Sequence, residues 1–194
     1  MATIKDFKYK LIKNFFSKDE LSLLQIHCKK LLKRPWVSDE MKGTNSLTPR
    51  WSSIQDHFMN VMHNHKLLKM EEVTGLKLFK TYCYWRYYHF GSYLDNHTDR
   101  PACEISVTAC IHKTDDWPIT MDGKEIEMEE GDGVIYLGCE LEHGRPNIFK
   151  GDGMAQVFMH YVDQNGPYTD HKDDFISLSK QFGRAGANTL ITDL

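Results

Sequence analysis

Three side chains of this sequence could together bind a transition metal: His97, Asp99 and His143. His97 and Asp99 are two positions apart, so on an extended segment both side chains leave the same face of the backbone. A second imidazole from a distant strand would complete a set of two histidines and one carboxylate. Such a set leaves metal positions open and is typical of non-haem Fe(II) oxygenases. His143 is the predicted third ligand, because it follows a predicted strand over 133–138.

Two alternatives to this interpretation are open. His160, on a predicted last strand over 154–162, could be the third ligand instead of His143. The same side chains could also form a hydrogen-bonded core, or hold a structural ion in a non-catalytic, cupin-like binding protein. A structural zinc site would normally have four protein ligands rich in cysteine, and none of the five cysteines has ligand spacing.

The strands that would position these residues are predicted from residue 76 onward, where short β-forming runs alternate with turn residues. This pattern is typical of a β-sandwich or barrel and not of alternating βαβ units. The predicted strands are 77–89, 103–112, 118–121, 124–128, 133–138, 141–145 and 154–162. Tight turns are predicted at Asp122-Gly123 and at Gly131-Asp132-Gly133.

Helices are predicted before residue 76. Ser17, with Glu20 three positions later, forms a capping box that opens a helix running to about Arg34. A second helix is predicted over about 53–73 from the spacing of its apolar residues. The remaining predictions are a short strand over 7–16, a polar surface loop and potential lid over 37–50, and one short helix near 173–181.

The segment from Arg86 to Asp99, RYYHFGSYLDNHTD, resembles the R-Y-x-x-G-x-x-x-x-x-H-x-D segment of prolyl-4-hydroxylase-like 2-oxoglutarate/Fe(II) oxygenases. Downstream, GDGVIY at 131–136 followed by His143, and AQVFMHY at 155–161, are similar to that family's G-D-x-φ-φ-F motif, distal histidine and final strand. The resemblance implies a mainly β fold with flanking helices, in which N-terminal α-helices pack against a double-stranded β-helix, or jelly roll.

The resemblance also implies a reaction. His97, Asp99 and His143 match the iron ligands of the family, and Tyr88 matches a tyrosine that hydrogen-bonds 2-oxoglutarate. The implied cofactors are Fe(II), 2-oxoglutarate as cosubstrate and O₂, with ascorbate as an optional reductant. Oxidative decarboxylation of 2-oxoglutarate would be coupled to hydroxylation of a C–H bond. A peptidyl proline or another amino-acid side chain is the leading substrate, and small molecules remain open.

The sequence departs from the family at one important position. The family usually has Arg or Lys at the start of the final strand, where it pairs with the far carboxylate of 2-oxoglutarate, and this position falls on Gly153 or Met154. A buried carboxylate without a cation would be costly. Arg145 is the predicted substitute, because it is two positions after His143 and its planar fork suits a carboxylate. The other candidates for contacts with 2-oxoglutarate are Lys150, in the following loop, and the polar side chains of Tyr88 and Gln156.

The composition fits one domain of average globular character: 194 residues, of which 41% are hydrophobic and 26% charged. We expect a single oxygenase domain over 1–194, with helical support at about 17–75, a β-helix core at about 76–163 and a tail at 164–194. The start, MATIKDFKYK, lacks the apolar region of a signal peptide, so a cytoplasmic protein without a membrane partner is expected. The net charge of −3 makes nucleic acid an unlikely partner.

Overall fold

Two antiparallel sheets form the framework of the protein in a computed structural model that describes residues 3–34, 36–38, 47–49 and 56–174. The strands are β1 (Tyr9–Ile12), β2 (Trp36–Ser38), β3 (Leu47–Pro49), β4 (Leu78–Tyr88), β5 (Leu94–His97), β6 (Ile105–Lys113), β7 (Ile119–Met121), β8 (Lys124–Ile126), β9 (Gly133–Leu137), β10 (His143–Arg145) and β11 (Met154–Asp163). The helices are α1 (Ile4–Phe7), α2 (Lys18–Leu31) and α3 (His57–Thr74). Within these described ranges, no helix has the length and apolar character needed to cross a membrane.

The larger sheet has the strand order β1-β9-β6-β11-β4-β3-β2, and the smaller sheet has the order β5-β10-β7-β8. One apolar cluster fills the space between the sheets and includes Trp117, Tyr136 and Phe158. A second cluster joins α2 and α3 to the opposite face of the larger sheet, where Leu24 and Met59 belong to the same cluster as core residues of β4 and β6. The predicted fold class, a jelly roll with N-terminal helices packed outside it, is confirmed.

Alternation along β6 shows how the sequence produces these two layers. Neighbouring side chains of a strand point to opposite faces. The residues Ile105, Val107, Ala109 and Ile111 all belong to the helix-side cluster. Cys110 belongs to the cluster between the sheets, which places the polar alternate residues of β6 on the face that carries the candidate site.

Both helix predictions need corrected boundaries. The first helix ends at Leu31 and not near Arg34. Beyond Leu31 the backbone forms a turn, in which the Arg34 N–H donates to the Leu31 carbonyl oxygen, three residues earlier, at 2.8 Å. The second helix begins at His57, after the predicted start near residue 53. Asp56 is its N-cap, and its carboxylate accepts a hydrogen bond from the Met59 N–H.

The predictions for the other N-terminal segments are also corrected. The strand predicted over 7–16 is limited to Tyr9–Ile12 and follows the one-turn helix α1. The segment 37–50 is not wholly a loop, because Trp36–Ser38 pairs with Leu47–Pro49, and Leu47 pairs with Tyr87 at the edge of the larger sheet. The centre of that segment, 39–46, and most of the helix predicted near 173–181 lie outside the described residues. The lid hypothesis therefore stays a prediction.

Asp132 ties the turn before β9 to the N-terminal strand. Its carboxylate accepts hydrogen bonds from Lys13 Nζ at 2.7 Å, from the Asn14 N–H at 3.0 Å and from the Glu129 N–H at 2.9 Å. Burial alone raises the pKa of Asp132, but these donors outweigh it and hold the pKa below its usual range. A carboxyl group whose pKa is lowered by folding stabilises the fold at pH values above its unfolded-state pKa. This contribution is lost as the pH falls through the folded-state pKa.

We expect Asp132→Asn to lower the free energy of unfolding at pH 7 by about 1 to 3 kcal/mol, because three donors lose a charged acceptor that is itself buried. The difference from the wild type should shrink in acid, where the wild-type carboxylate is protonated. Urea unfolding at pH 7 and at several acidic values measures both effects. Asp116→Asn is the control, since the Asp116 side chain is exposed and hydrogen-bonds Lys113. A difference that stays constant down to strong acid would contradict this role.

Candidate metal centre

The structure brings the side chains of His97, Asp99 and His143 together at one end of the smaller sheet. His97 ends β5, His143 begins β10, and the two residues are directly paired in register. His97 Nε2 lies 3.6 Å from Asp99 Oδ1, and His143 Nε2 lies 3.6 Å from Asp99 Oδ2. The two imidazole centroids are 4.5 Å apart. Ligand bonds of about 2.0 to 2.2 Å to one ion require donor atoms at close to this spacing.

Local hydrogen bonds set the tautomer of both histidines. His97 Nδ1 lies 2.8 Å from the Asp95 carbonyl oxygen, and His143 Nδ1 lies 2.8 Å from the Leu141 carbonyl oxygen. Because a carbonyl oxygen can only accept, each Nδ1 carries a proton, and in the neutral ring each Nε2 has a free lone pair. Metal-binding histidines are commonly oriented in this way. Both Nε2 atoms are therefore ready to bind an ion beside Asp99.

The charges of the three groups also favour a cation. Burial raises the pKa of Asp99, but the neighbouring histidines, His97 first, hold that pKa below its usual range. Burial lowers the pKa of His143, and the interaction with Asp99 raises the pKa of His97. Asp99 Oδ2 is buried and has no hydrogen-bond partner in the described part of the chain. An unpaired carboxylate oxygen facing imidazole lone pairs fits a divalent metal with three protein ligands.

Gly138 packs directly against this carboxylate. A Cβ atom at position 138 would lie 2.7 Å from Asp99 Oδ2 and 3.1 Å from Ser106 Oγ, and it would clash with the Cys103 carbonyl oxygen. Backbone and a ligand side chain would both have to move, so glycine is required at this position. The packing around Gly138 therefore helps to fix the orientation of Asp99.

We expect Gly138→Ala to lower the affinity for Co(II) or Ni(II) by about 10- to 100-fold, as does loss of a group that orients a metal ligand. Calorimetric titration of the metal-free protein measures this affinity. Gly123→Asn is a control. Gly123 lies at the β7–β8 turn with φ +74°, where a Cβ atom would have no neighbour within 4 Å in the described part of the chain, and asparagine tolerates this backbone region. Equal affinities in the two variants would mean that Gly138 does not hold Asp99.

A second buried polar group, Arg145, lies on β10 two positions after His143. The side chain is 2% exposed, and its guanidinium lies over the Trp117 ring at 5.0 Å. Nη1 donates to the Trp117 carbonyl oxygen. Nη2 has no hydrogen-bond partner, and Arg145 has no ion pair with an acidic residue among the residues described here. Burial lowers the pKa of Arg145 to about 10, so the group remains a cation at neutral pH.

Tyr88 and Gln156, two other predicted cosubstrate residues, share these features. The Tyr88 hydroxyl and Gln156 Nε2 are buried, and neither has a hydrogen-bond partner within the described ranges. Gln156 Oε1 accepts a hydrogen bond from Thr108 Oγ1 at 3.2 Å, which leaves Nε2 as an unused donor. The Tyr88 ring meets Trp117 edge to face at 5.0 Å. Arg145 and Tyr88 thus contact the same indole, and each keeps a polar group unpaired.

The structure explains why the start of β11 carries no cation. A Cβ atom at Gly153 would clash with the Tyr87 hydroxyl group, so a side chain there would require the Tyr87 ring to move. The next residue, Met154, is 1% exposed and belongs to the apolar cluster between the sheets. Lys150, the alternative anion partner, is exposed. Of the basic residues considered from the sequence, Arg145 is the one that the structure buries.

Sequence reasoning missed two residues near these groups, Trp117 and Cys103. Trp117, which cradles Arg145, gives no local sequence signal because the contact joins two separate segments. Cys103, which has no ligand spacing in the sequence, lies beside Asp99, and so does His160, the alternative third ligand named from the sequence. Asp99 therefore borders two sets of potential metal ligands, one with His97 and His143 and one with Cys103 and His160.

No family model matches the sequence, and neither does any curated protein. Among solved structures, the chain is similar to SnoN, a non-haem α-ketoglutarate-dependent epimerase from nogalamycin biosynthesis, with 11% identity over 80% of this chain and 78% of that chain and a TM-score of 0.65. It is similar to a Pseudomonas putida prolyl-4-hydroxylase, with 16% identity over 81% and 96% of the two chains and a TM-score of 0.58. The chain is also similar to HygX from Streptomyces hygroscopicus, solved with nickel, 2-oxoglutarate and hygromycin B. The identity is 10% over 81% of this chain and 84% of that chain, with a TM-score of 0.64.

At these identities the likeness establishes the fold. The chain has the double-stranded β-helix fold of structures described as 2-oxoglutarate/Fe(II) oxygenases, and the resemblance seen in the sequence is confirmed at this level. Metal and cosubstrate roles for individual residues of this chain stay predictions.

Proposed function

We propose that this protein is a non-haem Fe(II) dioxygenase that couples oxidative decarboxylation of 2-oxoglutarate to hydroxylation of a C–H bond. The observation that carries the proposal is the buried guanidinium of Arg145, which has no acidic partner in the described residues and lies on the same short strand as His143. A buried charge without a counter-ion is costly. A dicarboxylate bound between Arg145 and the metal would supply the missing anion.

The metal ligands and the unpaired hydrogen-bond donors described above each have a role in this proposal. His97, Asp99 and His143 would hold Fe(II) through two Nε2 atoms and one carboxylate. Arg145 would pair with the far carboxylate of 2-oxoglutarate, and the Tyr88 hydroxyl and Gln156 amide would donate hydrogen bonds to it. When bound, the iron and 2-oxoglutarate supply an O₂-derived oxidant strong enough to remove hydrogen from a C–H bond. The protein's own part is to orient the cosubstrate, exclude water and position one bond of the substrate.

The substrate would approach on the side of His97. The His97 side chain is 39% exposed, whereas that of His143 is 3% exposed, so the centre opens toward His97. Tyr84 and Phe158 stack at 4.8 Å, and Arg86 lies over the Tyr84 ring at 5.3 Å. Tyr84 interacts electrostatically with Asp99, and Arg86 with His97. These groups form an aromatic wall that could bind a substrate and keep water away from the reacting bond.

We propose a peptidyl proline or another amino-acid side chain as the substrate. The similarity to a prolyl-4-hydroxylase supports this choice. The same fold is described for an epimerase and for a protein solved with hygromycin B, so small molecules belong in the same test. Ascorbate would act as a reductant that keeps the metal in the Fe(II) state.

Succinate formation tests the proposed reaction. Protein supplied with Fe(II), ascorbate, 2-oxoglutarate and air should form succinate slowly, and a chelator should stop it. Peptides that contain proline, free amino acids and metabolite pools are then screened for stimulation, and the product is checked for one added oxygen atom by mass spectrometry. If the protein binds metal but forms no succinate with any pool, a non-catalytic, metal-binding jelly roll becomes the better account.

A further inference from the structure

Asp99 has a second set of potential ligand neighbours that the proposed reaction does not use. One ligand atom each of Asp99, Cys103 and His160 lies within 4.8 Å of the other two. Cys103 ends a short turn, Pro101–Cys103, that follows β5, and His160 lies on β11. Cys103 and His160 are both 2% exposed. The topology thus brings an imidazole and a thiol to the carboxylate from two different segments.

Hydrogen bonds determine which nitrogen of His160 carries the proton. Nδ1 lies 2.7 Å from Ser106 Oγ, and the Ser106 hydroxyl donates its single proton to the Cys103 carbonyl oxygen at 3.0 Å. Ser106 Oγ must therefore accept a hydrogen bond from the Nδ1–H of His160. In the neutral ring, Nε2 is left with a lone pair, as it is in His97 and His143.

Three electron-pair donors then face one another in a buried space. Nε2 of His160 and Oδ2 of Asp99 are buried, and neither finds a hydrogen-bond donor among the described residues. The sulfur of Cys103 lies 3.1 Å from the Tyr82 hydroxyl, which can donate to a thiolate. The buried lone pairs of His160 Nε2 and Asp99 Oδ2, which have no donor among the described residues, are costly. A cation bound between them and the Cys103 sulfur would satisfy both lone pairs.

We propose that Asp99, Cys103 and His160 form a second metal subsite, which binds a thiophilic divalent ion such as Zn²⁺ and shares Asp99 with the candidate iron centre. Imidazole, thiolate and carboxylate together suit zinc, and three protein ligands leave one position for water. On binding, the Cys103 S–H bond breaks, a sulfur–metal bond forms and the proton passes to water. No electron is transferred in this exchange.

Sharing Asp99 couples the two ions. A carboxylate can bridge two metals through its two oxygen atoms, or one ion can take the carboxylate away from the other. In either case zinc in the second subsite is expected to disturb iron at His97 and His143. The role of Asp99 as an iron ligand rests on the proposed function, whereas the lone pairs of Cys103 and His160 do not.

Cobalt(II) titration of the metal-free, full-length protein tests the subsite without reference to activity. Thiolate bound to cobalt(II) gives an intense near-ultraviolet charge-transfer band, which histidine and carboxylate ligands do not give. We expect this band in the wild type and its loss in Cys103→Ser and in His160→Gln. Thermal unfolding of the metal-free variants shows whether each one is folded, and the two substitutions provide independent tests.

Two further variants sharpen the result. Cys139→Ser is the matched control and should keep the band, because Cys139 is in neither group of potential ligands and its S–H donates to the Arg100 carbonyl oxygen at 3.2 Å. His143→Ala should also keep the band. It should no longer bind cobalt at the candidate iron centre, where the ligands give no such band. The absence of the band in the wild type, or its survival in folded Cys103→Ser, overturns the second subsite.

The same titration separates this inference from the proposed function. If cobalt binds in a manner that depends on His143 but never gives the thiolate band, the second subsite is wrong and the iron centre stands. If the band depends on Cys103 and no cobalt depends on His143, the second subsite stands and the proposed iron centre is contradicted.

Discussion

Arg145→Ala is expected to raise the apparent KM for 2-oxoglutarate by roughly 30-fold to several thousandfold, which corresponds to the 2 to 5 kcal/mol lost when a buried charge pair is broken. The guanidinium is buried against Trp117, and its Nη2 atom is unpaired among the described residues. Without it, the far carboxylate of 2-oxoglutarate would be buried with no cation. Metal affinity should change little, because Arg145 is not among the three grouped ligands. Succinate formation at varied 2-oxoglutarate concentration measures the change.

Two other variants serve as controls for the Arg145 prediction. Lys150→Ala should leave the KM for 2-oxoglutarate within about twofold, since an exposed charge contributes little. Arg145→Lys should recover part of the affinity, because an ammonium restores the charge without the planar fork. If Lys150→Ala has the large effect and Arg145→Ala does not, the two roles are exchanged.

His143→Ala is expected to abolish turnover and to weaken Fe(II) or Co(II) binding by more than about 100-fold. Loss of a group that only orients a ligand already costs about 10- to 100-fold in metal affinity, and here a ligand atom itself is removed. Because His143 is buried beside Asp99, the cavity created would also leave one carboxylate oxygen without its neighbour. Metal titration and succinate formation measure the two effects separately.

His112→Ala is the control for the His143 prediction. His112 lies at the end of β6, and its Nδ1 is 2.7 Å from Glu130 Oε1, so it belongs to a different group. This variant should bind metal and turn over 2-oxoglutarate like the wild type. Metal binding that is lost equally in both variants would show that His143 is not a specific ligand.

Much of the candidate centre follows from local sequence rules. The spacing of His97 and Asp99 places both on one face of an extended segment, and the position of Arg145 after His143 predicts a side chain in the same space. The Asp122-Gly123 turn between β7 and β8 is also local: both residues have positive φ angles, 52° and 74°, as a tight hairpin requires. Short-range geometry is enough for features of this kind.

Features that depend on distant contacts could not be predicted from the sequence. The polar segment after Trp36 was interpreted as a loop, yet two of its parts are strands because Leu47 finds a partner in Tyr87 of β4. The tautomer of His160 depends on Ser106, which is its partner in register on a neighbouring strand. The missing cation at Gly153 is explained only when Tyr87 is seen to fill the space.

Calorimetric titration of 2-oxoglutarate tests the central claim most directly, because it needs no knowledge of the substrate. The ligand is titrated into protein loaded with Ni(II), which holds the site without turnover, and into metal-free protein. We predict one binding site per chain that requires the metal and is weakened by roughly 30-fold or more in Arg145→Ala. Equal binding with and without metal, or no binding to the Ni(II) form, would contradict the claim that the triad and Arg145 together hold 2-oxoglutarate.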